Sequence, residues 1–221
     1  MTPEKVSIAE ALLFDLRRPE SSDEASLSEW RIAIVTHVAL LLGVTHVLIT
    51  AACVAMFTSR GTGLSMDNPL IPAGLVIAVD AAAATALVYR QRLNLHPHTV
   101  VRSLCGYLGI VGLLWAWFGQ AVADDTFVTP MAAAPIAMAA GIAMGAVVSV
   151  QSPPLIIMNM VMSVLATFVL SDTPLVPAAI LVLSMALVAY SIANTRSFIA
   201  AGRKRLNLDA EARKASKRTT T

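Results

Sequence analysis

The sequence predicts an all-α integral membrane protein with six transmembrane helices, both termini cytoplasmic and the sixth helix extended into a basic tail. Three observations predict it. The 221 residues are 57% hydrophobic and 14% charged, with a mean hydropathy of +0.71; a soluble domain carries roughly 25% charged and 45–50% apolar residues. Six apolar runs follow a polar head, each near the roughly 17–25 residues that cross about 30 Å of hydrocarbon as a helix. Lastly, of the 16 Lys and Arg residues, all but Arg60 fall on one side of those runs. The same composition excludes a disordered, collagen-like or nucleic-acid-binding chain.

The head, residues 1–29, is a polar cytoplasmic segment carrying seven acids. It has neither the basic start nor the early apolar run of a secretory signal, so no cleavage is expected. Within it Ile8, Ala11, Leu12, Leu13 and Leu16 recur at helical spacing, which suits a short helix resting on the membrane surface or on a neighbour.

The transmembrane domain, residues 30–194, holds the six runs: 32–57, 70–89, 104–123, 127–150, 154–170 and 175–193. Lipid offers a free backbone amide no partner, so each is expected as a helix. Polar breaks separate them: Ser59 to Gly63 and Asp67-Asn68-Pro69; Asn94 to His98; Asp124-Asp125; Gln151 to Pro154; Ser171 to Pro174. Pro154 and Pro174 fit the first turn of a helix, where the missing N–H costs no hydrogen bond.

Lys and Arg set the orientation. Lys5, Arg17, Arg18 and Arg31 lie in the head, Arg90, Arg92 and Arg102 in the second loop, and eight more in the tail. The positive-inside rule therefore puts both termini in the cytoplasm of a bacterial inner membrane, which requires an even number of spans. The tail, residues 195–221, has one glycine, Gly202, and no proline. It reads as a basic flank near anionic lipid or as a connector helix continuing the sixth span. Its apolar members, Phe198, Ile199, Leu206, Leu208 and Ala212, form no clean stripe.

Few residues carry a chemical signal. Asp80 is the one acid deep inside a span, where a carboxylate is protonated, paired or facing water. His37 and His46 share the first span but, nine residues apart, point to opposite faces. They cannot clamp one metal or haem, and hydrogen bonding to Thr36, Thr45 or Asn159 is the expected use. Asp80, His37, His46 and Asn159 make the candidate intramembrane polar site. Met158, Met160 and Met162 spread around their helix and suit packing better than Cu(I). Gly106, Gly109 and Gly112 on the third span, and Gly141 and Gly145 with Ala133 and Ala137 on the fourth, form small-residue stripes for close helix packing. Trp115, Trp117 and Phe118 suit an interfacial anchor. Cys53 and Cys105 lie in apolar runs, which supports no disulfide. No nucleotide, phosphate-loop or metalloprotease motif is present, the two halves share no inverted-repeat pattern, and neither a cofactor, a metal nor an enzymatic activity is expected.

The stretch Leu206-Asn207-Leu208-Asp209-Ala210-Glu211-Ala212-Arg213-Lys214-Ala215 resembles the connector that follows the membrane region in alphaproteobacterial, sphingomonad-like c-di-GMP signalling proteins. The Gly141 to Gly145 segment, the Pro153-Pro154 start of the fifth span, the Asp172 turn and the Asn194 to Arg205 exit are similar too. The resemblance covers residues 30–214 and implies a membrane input region feeding diguanylate cyclase (GGDEF) or phosphodiesterase (EAL) domains. Neither catalytic sequence occurs in the 221 residues, so no catalytic residue carries over. The expectation is a sensory or anchoring input module in the lipid bilayer. It is expected as a homodimer, with its tail leading to a cytoplasmic signalling domain or partner. The alternative is a small multi-pass transporter with Asp80 in its path.

Overall fold

The computed structural model describes residues 6–58, 70–123, 151–170 and 175–219, and every regular element among them is a helix. There are six: α1 (Ile8–Leu13), α2 (Ser22–Thr58), α3 (Leu70–Val88), α4 (Pro97–Ala123), α5 (Pro153–Leu170) and α6 (Leu175–Thr219). The expected spans one, two, three, five and six fall in α2, α3, α4, α5 and α6. The expected fourth span, with Ala133, Ala137, Gly141, Gly145 and the methionines near them, lies outside the described residues. So do the breaks at 59–69, 124–126 and 171–174, and the side chains of His46 and Cys53.

Among the described residues, three helical stretches suffice by length and composition to cross a membrane: Leu70–Val88, Pro97–Phe118 and Pro177–Ala212, with mean hydropathy 2.0, 1.5 and 1.8 over their apolar windows. Within α5 the described apolar stretch is Pro153–Leu165.

Local chemistry explains the helix starts. Ser7 caps α1, its Oγ accepting from Glu10 N at 3.0 Å. Ser21 does the same for α2, accepting from Glu24 N at 3.1 Å; each serine satisfies an amide that the helix itself cannot. Ser152 heads α5, its carbonyl taking the amides of Leu155 and Ile156. Pro153 and Pro154 follow it, where they lose no hydrogen bond.

Two helices begin earlier than the apolar runs. α2 starts ten residues before Ile32, because capped polar residues extend it. α4 starts at Pro97 rather than near Leu104, so His98 belongs to its first turn and not to a loop. The turn before it is closed by Asn94 at φ 50°, a left-handed conformation that asparagine tolerates better than most residues.

Consecutive helices pack on one another, α2 on α3, α3 on α4 and α5 on α6, while α4 and α5 share the most extensive contact. That last contact rests on glycine. A Cβ at Gly109 would lie 2.7 Å from Met158 Cε, and one at Gly112 would lie 2.7 Å from Met162 Cβ. The paired numbers rise together, so α4 and α5 run parallel. Gly106 faces open space, with nothing within 4 Å of its Cβ position. Phe118 is buried and meets Trp115 edge to face at 5.4 Å; it belongs to the interior rather than to an interfacial belt.

Candidate functional site at the junction of head and tail

The polar residues singled out by sequence occupy separate surroundings. Asp80 is buried on α3 and accepts a 2.6 Å hydrogen bond from the Tyr107 hydroxyl of α4. His37 is exposed, and its Nδ1 lies 3.0 Å from the Ala33 carbonyl of its own helix rather than bonding to a neighbour. The ring is thereby satisfied one turn away, a common outcome for a polar group on an apolar helix. Asn159 is half-buried on α5. Among the described residues no group of three or more His, Cys, Asp and Glu side chains can hold a metal.

The most developed polar constellation lies where the head meets the start of the tail. Its centre is a buried ion pair. Asp15, just past α1, and Arg31 on α2 are each about 5% exposed or less, with Arg31 Nε 3.0 Å from Asp15 Oδ1 and 3.1 Å from Oδ2. Two charges taken out of water are costly unless their remaining hydrogen bonds are met. Here they are. Ser152 Oγ donates to Asp15 Oδ2 at 2.6 Å. Arg31 Nη2 donates to Thr195 Oγ1 at 2.6 Å and also to the Gln151 carbonyl. Thr195 in turn donates to the Ser191 carbonyl, 2.8 Å away on the preceding turn of α6. The Phe198 ring covers the guanidinium, whose Cζ sits 5.2 Å from the ring centre.

Burial pushes the Asp15 carboxyl up from its ordinary value, while the charge of Arg31 and the Ser152 hydrogen bond draw it back down. Burial likewise lowers Arg31, opposed by Asp15. The pair therefore ties four parts of the chain together: the end of α1, the early part of α2, the 151–152 turn before α5, and α6.

Around this centre the head wraps the tail. Arg196 Nε donates to the Val6 carbonyl at 2.9 Å. Arg203 pairs with Glu10 and lies 3.8 Å from Glu24. Arg205 sits over the Trp30 ring at 5.0 Å. Beneath these contacts Val6, Phe14, Leu27 and Ile199 form a small buried apolar cluster, with Phe198 and Leu206 against it. Gly202 permits the close approach, since a Cβ there would fall 2.2 Å from Leu27 Cδ2. The short head helix thus rests on the tail, a neighbour, and the tail's apolar residues are sorted: Ile199 is buried and Leu208 is exposed.

The second loop joins the same end. Arg90 Nη1 lies 3.2 Å from Glu29 Oε2, and Arg102 Nη2 donates to the Leu16 carbonyl at 2.9 Å. The second loop with the first turns of α4, the 151–152 turn and the tail each contact the head.

Compared with protein families, with curated proteins and with solved structures, the chain matches none. The site must be read from its own geometry. Sequence reasoning counted Asp15 and Arg31 only as charges. The readable signal was coarser: seven acids in the head and eight bases in the tail, two complementary segments at opposite ends of the chain.

Proposed function

We propose that the chain is a six-span membrane input module whose sixth helix delivers a membrane event to whatever follows its tail, with the head as the element that holds or releases that helix. One observation carries the reading. α6 runs unbroken for 45 residues from an apolar stretch into a charged one, and the head is locked to it at that transition through Arg31 and Thr195. A continuous helix passes rotation or translation along its axis, and a docked partner at its exit makes two discrete arrangements available. A ligand or lipid favouring one arrangement shifts the balance only by its difference in affinity for the two. The resemblance of residues 206–215 to the connectors of c-di-GMP signalling proteins supports the same direction of travel.

The six-span count draws support from packing. Because α4 and α5 run parallel, the chain between them has to return from one end to the other, and residues 127–150 are an apolar run of sufficient length. The basic residues at the contacting ends favour the cytoplasm for that end.

The test is a diguanylate cyclase fused after Lys214. Inserting one, two or three residues at the joint turns the reporter by about 100° per residue. Output that cycles with the insertions and changes in Arg31→Met supports the reading; output indifferent to both discards it. Asp80 favours a second reading, a small transporter, because a buried carboxyl bonded to Tyr107 is an intramembrane ionisable pair. Proteoliposome uptake that disappears in Asp80→Asn would select it.

A further inference from the structure

Around the circumference of α4 the described residues fill three faces. Tyr107 turns to Asp80 on α3. Gly109 and Gly112 take Met158 and Met162 of α5. Val100, Val101 and Leu104 join a buried cluster with Ile32 and Val35 of α2. A fourth face carries Gly106, Ile110 and Leu113, which fall within about 60° of one another at roughly 100° per residue. Ile110 is 52% and Leu113 64% exposed, and nothing lies within 4 Å of a Cβ at Gly106. Glycine weakens a helix, and on a face covered by lipid tails it would bring no closer packing in return.

The chain itself supplies an occupant, because the segment joining α4 to α5 is held at both ends of α4. It leaves from Ala123, the last residue of α4. It arrives at Gln151 and Ser152, which bond to Arg31 and Asp15. Arg102, near the start of α4, bonds to the Leu16 carbonyl, one residue along from Asp15. The helix rises roughly 32 Å between Arg102 and Ala123. The apolar run 127–150, which lies outside the described residues, covers roughly 36 Å as a helix. That is enough to return along α4 and leaves little slack to pack elsewhere. The break at 124–126 is short, and short connections make antiparallel neighbours.

We propose that residues 127–150 pack antiparallel on the Gly106, Ile110 and Leu113 face of α4, through Ala133, Ala137, Gly141 and Gly145. A reversal centred on residue 125 sets Ala133 against Trp117 and Ala137 against Leu113. Within one position it also sets Gly141 against Ile110 and Gly145 against Gly106. Large side chains of α4 then meet small residues, and the two glycines coincide. Close backbone approach of this kind is what holds helices together in lipid. The inference rests on the six-span membrane reading, not on signal transmission.

The test is disulfide trapping in membranes of the full chain, with Cys53 and Cys105 replaced by serine and copper phenanthroline as oxidant. Leu113→Cys with Ala137→Cys, and Trp117→Cys with Ala133→Cys, should each lose both free thiols in a monomeric band, as neighbouring backbones allow. Leu113→Cys with Gly145→Cys, two turns out of register, should keep them. So should Val182→Cys, on α6, with Ala137→Cys. A measurement without cysteines is Gly106→Leu, which should lower the unfolding midpoint by about 5 °C if a helix packs there. A midpoint unchanged or raised in Gly106→Leu makes that face a lipid face and overturns the proposal. Leu113→Cys linking two chains puts a second copy on the face and overturns it too. Ala137→Cys shielded from an impermeant maleimide but not linked to Leu113→Cys overturns the packing and leaves the six spans standing. Ala137→Cys open to that maleimide removes the fourth span, and the packing falls with it.

Discussion

Asp15 and Arg31 illustrate how a buried ion pair fixes position more than it adds stability. Desolvating two charges costs several kcal/mol, and their attraction with the surrounding hydrogen bonds offsets this only when every partner is in place. Here the partners come from residues 16, 120 and 164 positions apart, so the pair is satisfied only when head, turn and α6 are assembled. Removing one member strands the other. Asp15→Asn or Arg31→Met alone should each cost about 3–5 kcal/mol of stability. Asp15→Asn with Arg31→Met should cost much less than the sum of the singles. Unfolding midpoints in detergent measure the cycle; additive losses would show that the two side chains do not act as a unit. The pH dependence has a defined sign. Burial holds the folded-state Asp15 carboxyl above its ordinary 3.8, so the native state keeps this proton to higher pH than the unfolded chain. Its contribution is full below 3.8 and lost as the pH climbs through the raised native value. Wild type should therefore lose more stability than Asp15→Asn across that window.

Helix contacts on glycine translate into graded costs. At Gly109 the atom in the way is the far end of Met158, which can swing aside. At Gly112 it is the Cβ of Met162, fixed to the backbone. Gly112→Ala should therefore force α4 and α5 apart and cost about 1–3 kcal/mol, while Gly109→Ala should cost clearly less. Gly202→Ala resembles the first case in severity, but pairing it with Leu27→Ala should recover much of the loss by removing the obstructing methyl. Midpoints of the three variants and the double variant decide this ordering. Gly109 and Gly112 were legible in the sequence because small residues at helical spacing carry a packing meaning of their own, but Gly106, read as part of the same stripe, faces open space. Helix limits were legible where hydropathy changes sharply, as at α3, Leu70–Val88 against the apolar run 70–89. They were not legible where polar residues prolong a helix, as with Ser22 to Arg31 in α2 or Pro97 to Ser103 in α4. Hydropathy registers lipid, not helicity. The Asp15–Arg31 assembly was invisible for a different reason: contacts between distant segments leave no periodic trace, and opposite charge in head and tail indicates an affinity without giving a register.

Taken as one body, the molecule concentrates its charge chemistry at one end of an apolar bundle. Arg102 reaches Leu16, Arg90 reaches Glu29, and Arg31 reaches Gln151 and Thr195, so every basic segment described there is tied to the head. Those ties demand that the head, the second loop, the 151–152 turn and the tail share one face of the membrane, because a polar contact cannot form across hydrocarbon. Under the proposed reading, the positive-inside rule puts that face in the cytoplasm. Single cysteines placed in a background with Cys53 and Cys105 replaced by serine test the whole arrangement. Cysteines at Ser7, Leu93 and Asn207, all exposed, should resist an impermeant maleimide in intact cells and react in inverted vesicles. Cysteines at Thr62 and Asp172, which the proposed topology assigns to the opposite side, should show the reverse. Ser7 and Asn207 labelling from opposite faces would contradict the head-to-tail contact itself, and with it the proposed transmission. Ser7, Leu93 and Asn207 all labelling from outside would keep the contact and invert the orientation.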